Sequence, residues 1–274
     1  MNENMYKSLE AVVAKLREPG GCPWDQKQTH ESLRKYLLEE AYEAIEAIDE
    51  GDMAHLKEEL GDVLLQVVFH ARLAEEKKLF NLQDVVDGEV EKMIRRHPHV
   101  FSNLSVDGEE AVLQNWETIK AKEMGRVQKK SVLDGIPREL PALMQTEKLQ
   151  EKAVKVGFTW PNIEGVKEKF EEELQEFADA VEEADLNHME DEAGDVLFTF
   201  IHLLQWHGIS AENALRRANR KFINRFQYME EQLKKYGKEW ENVTLEELDG
   251  YWNKKKMIEI DKNSKNSIKI IRKD

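Results

Sequence analysis

The chain repeats itself. One segment reads LLEEAYEAIEAIDEGDMAHLKEELGDVLLQVVFH from Leu37 to His70, and a second reads FEEELQEFADAVEEADLNHMEDEAGDVLFTFIH from Phe170 to His202. Glu40 aligns with Glu173, Glu43 with Glu176, Glu59 with Glu192 and Asp62 with Asp195, all at one offset of 133 residues. A duplication of this kind restricts the fold to two copies of one architecture. Further echoes occur at slightly different offsets: Trp24 and Trp160, KMIRRHPHVF and KFINRF, and Trp116 and Trp252. The seam lies near GRVQKKSVLDGIPRELP, where Gly125, Gly135, Pro137 and Pro141 collect. The expected organisation is a first domain over 1–125, a linker over 126–140 and a second domain over 141–257. A Lys-rich tail over 258–274, without apolar period, is expected to be disordered.

Apolar residues recur at helical spacing. Leu9, Val12, Val13 and Leu16 mark one helix. Leu37, Leu38, Ala41, Ile45 and Ile48 mark a second; Leu60, Leu64, Val67 and Val68 a third; Val86, Val90, Met93 and Ile94 a fourth. Only 14 Gly and 6 Pro punctuate 274 residues, and no strand alternation stands out. The fold class is all-α, with tandem duplicated helical domains.

The repeat carries a carboxylate pattern. Glu50-Gly51-Asp52 reads as a helix stop followed by an N-cap. Glu43 lies 8 residues before Gly51 and Glu59 lies 8 after it, while Glu40 and Asp62 lie 11 away on either side. Two antiparallel helices meeting at this turn bring Glu43 level with Glu59 and Glu40 level with Asp62. Each pair within a helix is i,i+3, so both members share a face. The second half repeats the spacing about Ala184 with Glu173, Glu176, Glu192 and Asp195.

Isolated acidic residues on helices usually form a solvated face, and Glu39, Glu46, Glu171 and Glu172 fit that description. The helix that carries Glu59 and Asp62 does not. At 100° per residue its apolar side chains spread around most of the circumference, leaving Glu59, Asp62, Gln66 and His70 in one polar sector. Such a helix is expected to be buried, with its acids lining a seam. Clustered carboxylates repel and resist desolvation, so the pattern asks for protons or cations. Oxygen-only ligands suit Mg²⁺ or Mn²⁺, and magnesium commonly completes its shell with water and phosphate. Di-iron bundles require Glu-x-x-His pairs, which these are not. The D-x-x-H pairs Asp52/His55 and Asp185/His188 lie near the turns and do not supply that pattern.

Lys221 and Arg225 are i,i+4 on one helix face and can reach one polyphosphate; Asn219 lies nearby, and Lys169 is one turn before Glu173. In the first half Lys92 and Arg96 hold the matching places, but Val90 stands where Asn219 does. Taken singly, each of these Lys and Arg residues reads first as a solvated surface charge. Trp24, Trp116 and Trp160 read as core; Trp252, in a Lys-rich setting, reads equally as packing or as a stacking platform for a base.

The blocks EExxE (Glu39, Glu40, Glu43; Glu172, Glu173, Glu176) and ExxD (Glu59, Asp62; Glu192, Asp195) resemble the MazG family of all-α nucleoside triphosphate pyrophosphohydrolases. So do CPWD, EELGDVLLQVVFHA, RRHPHVF, NWETIKAKE, VGFTW and RRANRKFINRF. The resemblance runs from about residue 5 to Lys256 in the tandem arrangement. It implies hydrolysis of a nucleoside triphosphate to monophosphate and pyrophosphate, carboxylates holding Mg²⁺ against the triphosphate, and helix bundles completed in a homodimer. The family's nucleotide-binding pattern falls on Asn219, Lys221, Arg225 and Trp252. Because the first half departs from it, the second half is expected to be the main active site, with Glu173, Glu176, Glu192 and Asp195 catalytic.

Composition bounds the rest. Forty Lys plus Arg against fifty-five Asp plus Glu gives −15, a poor charge balance for direct nucleic-acid binding. The single Cys22 allows no internal disulfide. No signal-peptide pattern or membrane span is evident, so a cytoplasmic location is expected. Phosphate motifs of the G-x-x-x-x-G-K-[ST] and G-x-G-x-x-G kinds and a His-Asp dipeptide are absent, which leaves the quartets as the evident machinery. The rival reading is a non-catalytic nucleotide-sensing module that regulates a partner.

Overall fold

The computed structural model of the protein describes residues 8–102, 104–124 and 131–271. The chain divides into two compact units, Met1–Val127 and Gln128–Asp274, a division that falls within the Gly- and Pro-containing seam. Residues 126–130 of the expected linker lie outside the described residues. Among those described there is no strand, and each unit contains a hairpin of two long helices.

The first unit contains α1 (Leu9–Arg17), α2 (Pro23–Gln26), α3 (His30–Glu50), α4 (Met53–Glu76), α5 (Leu82–Arg96), α6 (Pro98–Phe101) and α7 (Gly108–Met124). Helix α3 begins at a capping box: the Thr29 hydroxyl accepts from the Ser32 amide, and the Ser32 hydroxyl accepts from the Thr29 amide. Gly51 ends it in the left-handed region at φ 72°, and the Asp52 carboxylate then accepts from the amides of Ala54 and His55 to start α4. This two-residue turn locks α3 and α4 into an antiparallel hairpin. Helix α1 packs on α4, and Val13, Leu33, Val68, Phe69 and Leu73 form the apolar cluster, with Leu9, Tyr36, Leu65 and Leu82 against it. Arg17, its side chain almost buried, pins this end by donating to both Glu76 oxygens (2.9 and 2.7 Å) and to the carbonyl of Asp25.

The second unit contains α8 (Ala142–Lys155), α9 (Ile163–Glu183), α10 (Leu186–Trp206), α11 (Ala211–Tyr236) and α12 (Leu245–Ile271). Helices α9 and α10 repeat the hairpin. Asn162 caps α9, Ala184 ends it at φ 58°, and Asp185 caps α10. Helix α8 crosses α10, where Gln150 Nε2 donates to the Phe198 carbonyl (2.7 Å) and Gln205 Nε2 to the Glu147 carbonyl (2.9 Å). Helix α12 packs on α11 and stays helical to Ile271, past the point where the sequence leads one to expect a disordered tail. Residues 258–271 contain no Gly or Pro, so loss of apolar period there does not stop a helix. No described helix is long and apolar enough to cross a membrane.

Two expectations about burial are corrected. Helix α4 is not covered on most sides: Leu60, Leu64 and Val67 are exposed within the chain, as are Leu197, Phe198 and Phe200 on α10. The inward face of α4 is the one that carries Glu59 and Gln66, both buried. Trp24 is half exposed, edge-on to Tyr36, and is not core. Periodicity reports which residues share a face; it does not report which face a single chain covers.

Two consequences follow for stability. Ala184 occupies a left-handed position that costs a Cβ-bearing residue roughly 1–2 kcal/mol, whereas Gly51 does not. Ala184→Gly should therefore raise stability by about 0.5–1 kcal/mol in urea unfolding, even after the entropy glycine adds to the unfolded chain; a loss of stability would contradict the assignment. Glu123 accepts from Arg95 and Arg96, which hold its carboxyl down from the usual 4.5 to about 2. A depressed carboxylate contributes stability above its unfolded pKa and loses it as pH falls through the folded value. The difference in melting temperature between wild type and Glu123→Gln should thus be constant above about pH 5.5 and shrink between 4.5 and about 2. A difference independent of pH would contradict it.

Candidate metal and nucleotide site

The hairpin turns set the register of both acidic clusters. In the first unit Glu40 and Glu43 come from α3 and Glu59 and Asp62 from α4. Carboxylate oxygens of Glu40, Glu43 and Glu59 lie within 4.8 Å of one another. Glu59 is 6% exposed; one oxygen is 3.0 Å from His55 Nε2 and the other, Oε2, has no partner. Burial, followed by the Glu43 charge, pushes the Glu59 carboxyl up. Burial, followed by the Asp62 and Glu43 charges, does the same to Glu40. Glu40 and Glu59 therefore sense the acids around them.

In the second unit Glu173, Glu192 and Asp195 bring oxygens within 4.8 Å of one another. Glu176 joins them through Glu173, whose hydrogen bond is the main cause of its raised carboxyl, with burial next. Glu173 is 6% exposed and 2.9 Å from Lys169 Nζ, which also contacts Glu172 at 2.8 Å. These two contacts hold the Lys169 ammonium well above its usual range. His188 bridges Glu183 (2.9 Å) and Glu192 (3.2 Å), and the first of these is the main reason its imidazole is pushed up. Groups of this composition, all oxygen and partly desolvated, match a hard divalent cation. Glu40, Glu43 and Glu59, and Glu173, Glu192 and Asp195, are the groups whose oxygens lie close enough together to hold one; Asp62 and Glu176 act on them as neighbouring charges and are not in either close group.

The predicted basic and aromatic residues meet other partners. Arg225 pairs with Glu259 (3.0 and 2.8 Å) and lies over Trp252, 5.2 Å from its centroid; Trp252 also meets Phe222. The first unit repeats this: Arg96 pairs with Glu123 and lies 5.4 Å from the Trp116 centroid. Lys92 pairs with Glu89, while Asn219 and Lys221 are exposed. Among the described residues, Lys169 is the predicted cation that touches a quartet; Asn219, Lys221 and Arg225 make no hydrogen bond or ion pair to one. Trp252 is thus part of a packed Arg–Glu–Trp group.

Two residues that touch these groups, His55 and His188, stand in the sequence as D-x-x-H pairs set aside as ligands, and two more, Glu123 and Glu259, carry no sequence signal of their own. His55 and His188 each contact a quartet glutamate four residues on, an i,i+4 spacing that is readable in the sequence once the glutamate is singled out. Glu123 and Glu259 each pair with an arginine from another helix, and only the parallel with Trp116 and Trp252, seven residues before each, hints at them.

Comparison with known proteins agrees with this duplication. The MazG nucleotide pyrophosphohydrolase domain matches residues 28–101 and 162–229. The chain is 48% identical to the Thermotoga maritima nucleoside triphosphate pyrophosphohydrolase/pyrophosphatase MazG, over 92% of this chain and 96% of that one. It is 40% identical to the Escherichia coli K12 nucleoside triphosphate pyrophosphohydrolase, over 94% and 99%. A crystal structure of a mazG-related protein from Thermotoga maritima aligns at 31% identity and TM-score 0.36, covering 41% of this chain and 96% of that chain. With the domain matched twice and relatives similar from end to end, the chain belongs to the MazG nucleotide pyrophosphohydrolase family.

Proposed function

We propose that this protein hydrolyses nucleoside triphosphates to nucleoside monophosphate and pyrophosphate, dependent on Mg²⁺ (or Mn²⁺), mainly at the Glu173–Glu176–Glu192–Asp195 quartet. The observation that carries the reading is the carboxylate clustering: partly buried acids within 4.8 Å of one another, with raised carboxyls and an unpartnered Glu59 oxygen. Such a group is unfavourable alone and favourable around a divalent ion. The relatives named as pyrophosphohydrolases supply the bond that is cut.

Bound Mg²⁺ would neutralise charge on the phosphoryl oxygens and lower the pKa of water. The protein's own part is to hold the acids in register, to place Lys169 one turn from Glu173 as a phosphate partner, and to accept a proton at a carboxylate with raised affinity for it. Glu176 has that property in the second unit. For Lys169 to meet phosphate it exchanges its contacts with Glu172 and Glu173. Arg225, Lys221, Asn219 and Trp252 would act in nucleotide binding, and Lys92 and Arg96 in the first unit; Arg225 and Arg96 first leave Glu259 and Glu123.

The second unit is favoured as the main site because Lys169 has no cationic counterpart: Tyr36 stands at the equivalent position. The first unit would then bind metal and contribute to dimerisation. Exposed apolar side chains on both hairpins (Leu60, Leu64 and Val67; Leu197, Phe198 and Phe200) fit a face that a second copy covers. Reaction in the cytoplasm on small nucleotides, without nucleic-acid binding, accords with the acidic balance.

The deciding experiment measures pyrophosphate and orthophosphate release from a panel of ribo- and deoxyribonucleoside triphosphates, with Mg²⁺ and with chelator. Wild type should release pyrophosphate only when Mg²⁺ is present. Glu176→Ala should lower kcat by ~100-fold or more, and Glu43→Ala far less. Orthophosphate as the product, or loss of turnover in Glu43→Ala with Glu176→Ala intact, would overturn the reading.

A further inference from the structure

We propose that Glu259 is a latch on Arg225: its carboxylate occupies the guanidinium that the phosphates of the nucleotide need, and so sets the affinity of the second unit for polyphosphate ligands. The proposal rests on the pyrophosphohydrolase reading above and adds the residue that a ligand has to displace.

Helices α11 and α12 pack on each other. Trp252 and Glu259 are seven residues apart on α12, two turns, so they share one face, and both meet Arg225 of α11. Arg225 Nε and Nη2 both donate to Glu259 Oε2, at 3.0 and 2.8 Å, while the guanidinium lies 5.2 Å from the Trp252 centroid. Phe222, one turn before Arg225, packs against Trp252 at 5.4 Å, and Phe226 stacks on Trp240 at 5.0 Å. These rings keep water away from the pair. The Arg225 side chain is 15% exposed and that of Glu259 25%. Attraction between opposite charges is stronger in such a setting than on an open surface.

A carboxylate and a phosphate offer a guanidinium the same thing, oxygens that accept from its N–H groups. One edge of the guanidinium cannot serve both. The edge that carries Nε and Nη2 is filled by a side chain from 34 residues further along the chain. A ligand that uses this edge works against Glu259, and its apparent affinity falls by the fraction of molecules in which the pair is open. A polyphosphate brings more oxygens and more charge than one carboxylate, so it is equipped to take Arg225. Once the bond is cut the products are smaller anions, and Glu259 retakes its partner. The latch therefore weakens binding and favours release.

Lys169, the other cation expected to meet phosphate, is also held, but by glutamates three and four residues along its own helix. Pairs at that spacing are worth only tenths of a kcal/mol on an exposed helix, by an order-of-magnitude estimate of about 0.2–0.5. The Arg225–Glu259 pair instead joins two helices, so opening it loosens α12 from α11.

The first unit shows the same group in a locked form. Arg96 Nε and Nη2 both donate to Glu123 Oε2, at 3.0 and 2.6 Å, and the guanidinium is 5.4 Å from the Trp116 centroid. There Arg95 Nε donates to the other Glu123 oxygen, at 2.6 Å. With Lys92 and Arg96 aligned on Lys221 and Arg225, Arg95 falls on Asn224. Among the described residues Glu123 is thus held by two guanidinium groups and Glu259 by one. The latch that one ligand can open lies in the unit that carries Lys169.

The test measures binding of inorganic tripolyphosphate with Mg²⁺ to the full chain by calorimetry. Wild type is compared with Glu259→Gln, and Arg225→Gln with the double variant; KM for ATP is measured beside it, and Mn²⁺ affinity reports an intact fold. Glutamine keeps the length and an accepting oxygen and removes the charge. Glu259→Gln should bind tripolyphosphate about three- to tenfold more tightly than wild type, with KM for ATP lowered by a similar factor and Mn²⁺ affinity unchanged. In the Arg225→Gln background, where nothing is left to release, the same change should have no effect. A Glu259 that only ties α12 to α11 predicts weaker binding in both backgrounds. Tripolyphosphate binding unchanged or weakened in a Glu259→Gln that binds Mn²⁺ normally would overturn the latch. If that variant does not fold, amide exchange in wild type decides: tripolyphosphate with Mg²⁺ should speed exchange around Glu259, and unchanged or slower exchange there would overturn the proposal. Binding of tripolyphosphate needs no turnover, so absence of pyrophosphate release by wild type from any nucleoside triphosphate would overturn the pyrophosphohydrolase reading and leave the latch to be judged by these binding results.

Discussion

Repulsion among carboxylates is the constraint on which the structure turns. Each hairpin gathers acids from two helices so that three bring oxygens within 4.8 Å, and the most buried of each group, Glu59 and Glu173, is 6% exposed. Burial and the neighbouring charges raise the proton affinity of Glu40 and Glu59, and a hydrogen bond with Glu173 together with burial does so for Glu176. A helix pair would hold together better with apolar residues there. The arrangement is understandable as one in which folding assembles a site for a cation and leaves the repulsion to be offset by what binds.

The hairpin geometry makes this possible through two very short turns. Gly51 and Ala184 stop one helix, and Asp52 and Asp185 start the next by accepting from two backbone amides each. Such short turns leave no slack, so residues equidistant from the turn face one another. The histidines one turn before Glu59 and Glu192 contact those acids from the same helix, and Lys169 does so for Glu173. The two units share this frame and differ along it. Where the second presents Lys169, Thr199 and His202, the first presents Tyr36, Gln66 and Phe69, and the apolar cluster of the first unit grows accordingly.

Much of this is legible in the sequence. The offset of 133 residues carries both quartets, the turn residues announce the hairpin, and helical spacing runs through nearly every segment. What the sequence does not disclose is which side of a helix the rest of the chain covers. Helix α4 looks apolar almost all round, yet Leu60, Leu64 and Val67 face outward while Glu59 and Gln66 face in. Trp24 is exposed although tryptophan favours burial. Pairings between distant helices, such as Arg225 with Glu259 and Arg96 with Glu123, depend on tertiary approach and leave no periodic trace.

The central claim, that the acids are destabilising alone and relieved by a divalent ion, is tested most directly by thermal unfolding of wild type and of Glu59→Gln/Glu173→Gln across Mg²⁺ and Mn²⁺ concentrations. The account predicts that the ions raise the wild-type melting temperature in a saturable way, following binding to the native state. The double variant should melt higher than wild type without ions and respond little to them. A wild-type melting temperature indifferent to either ion, together with a variant less stable than wild type in their absence, would contradict it.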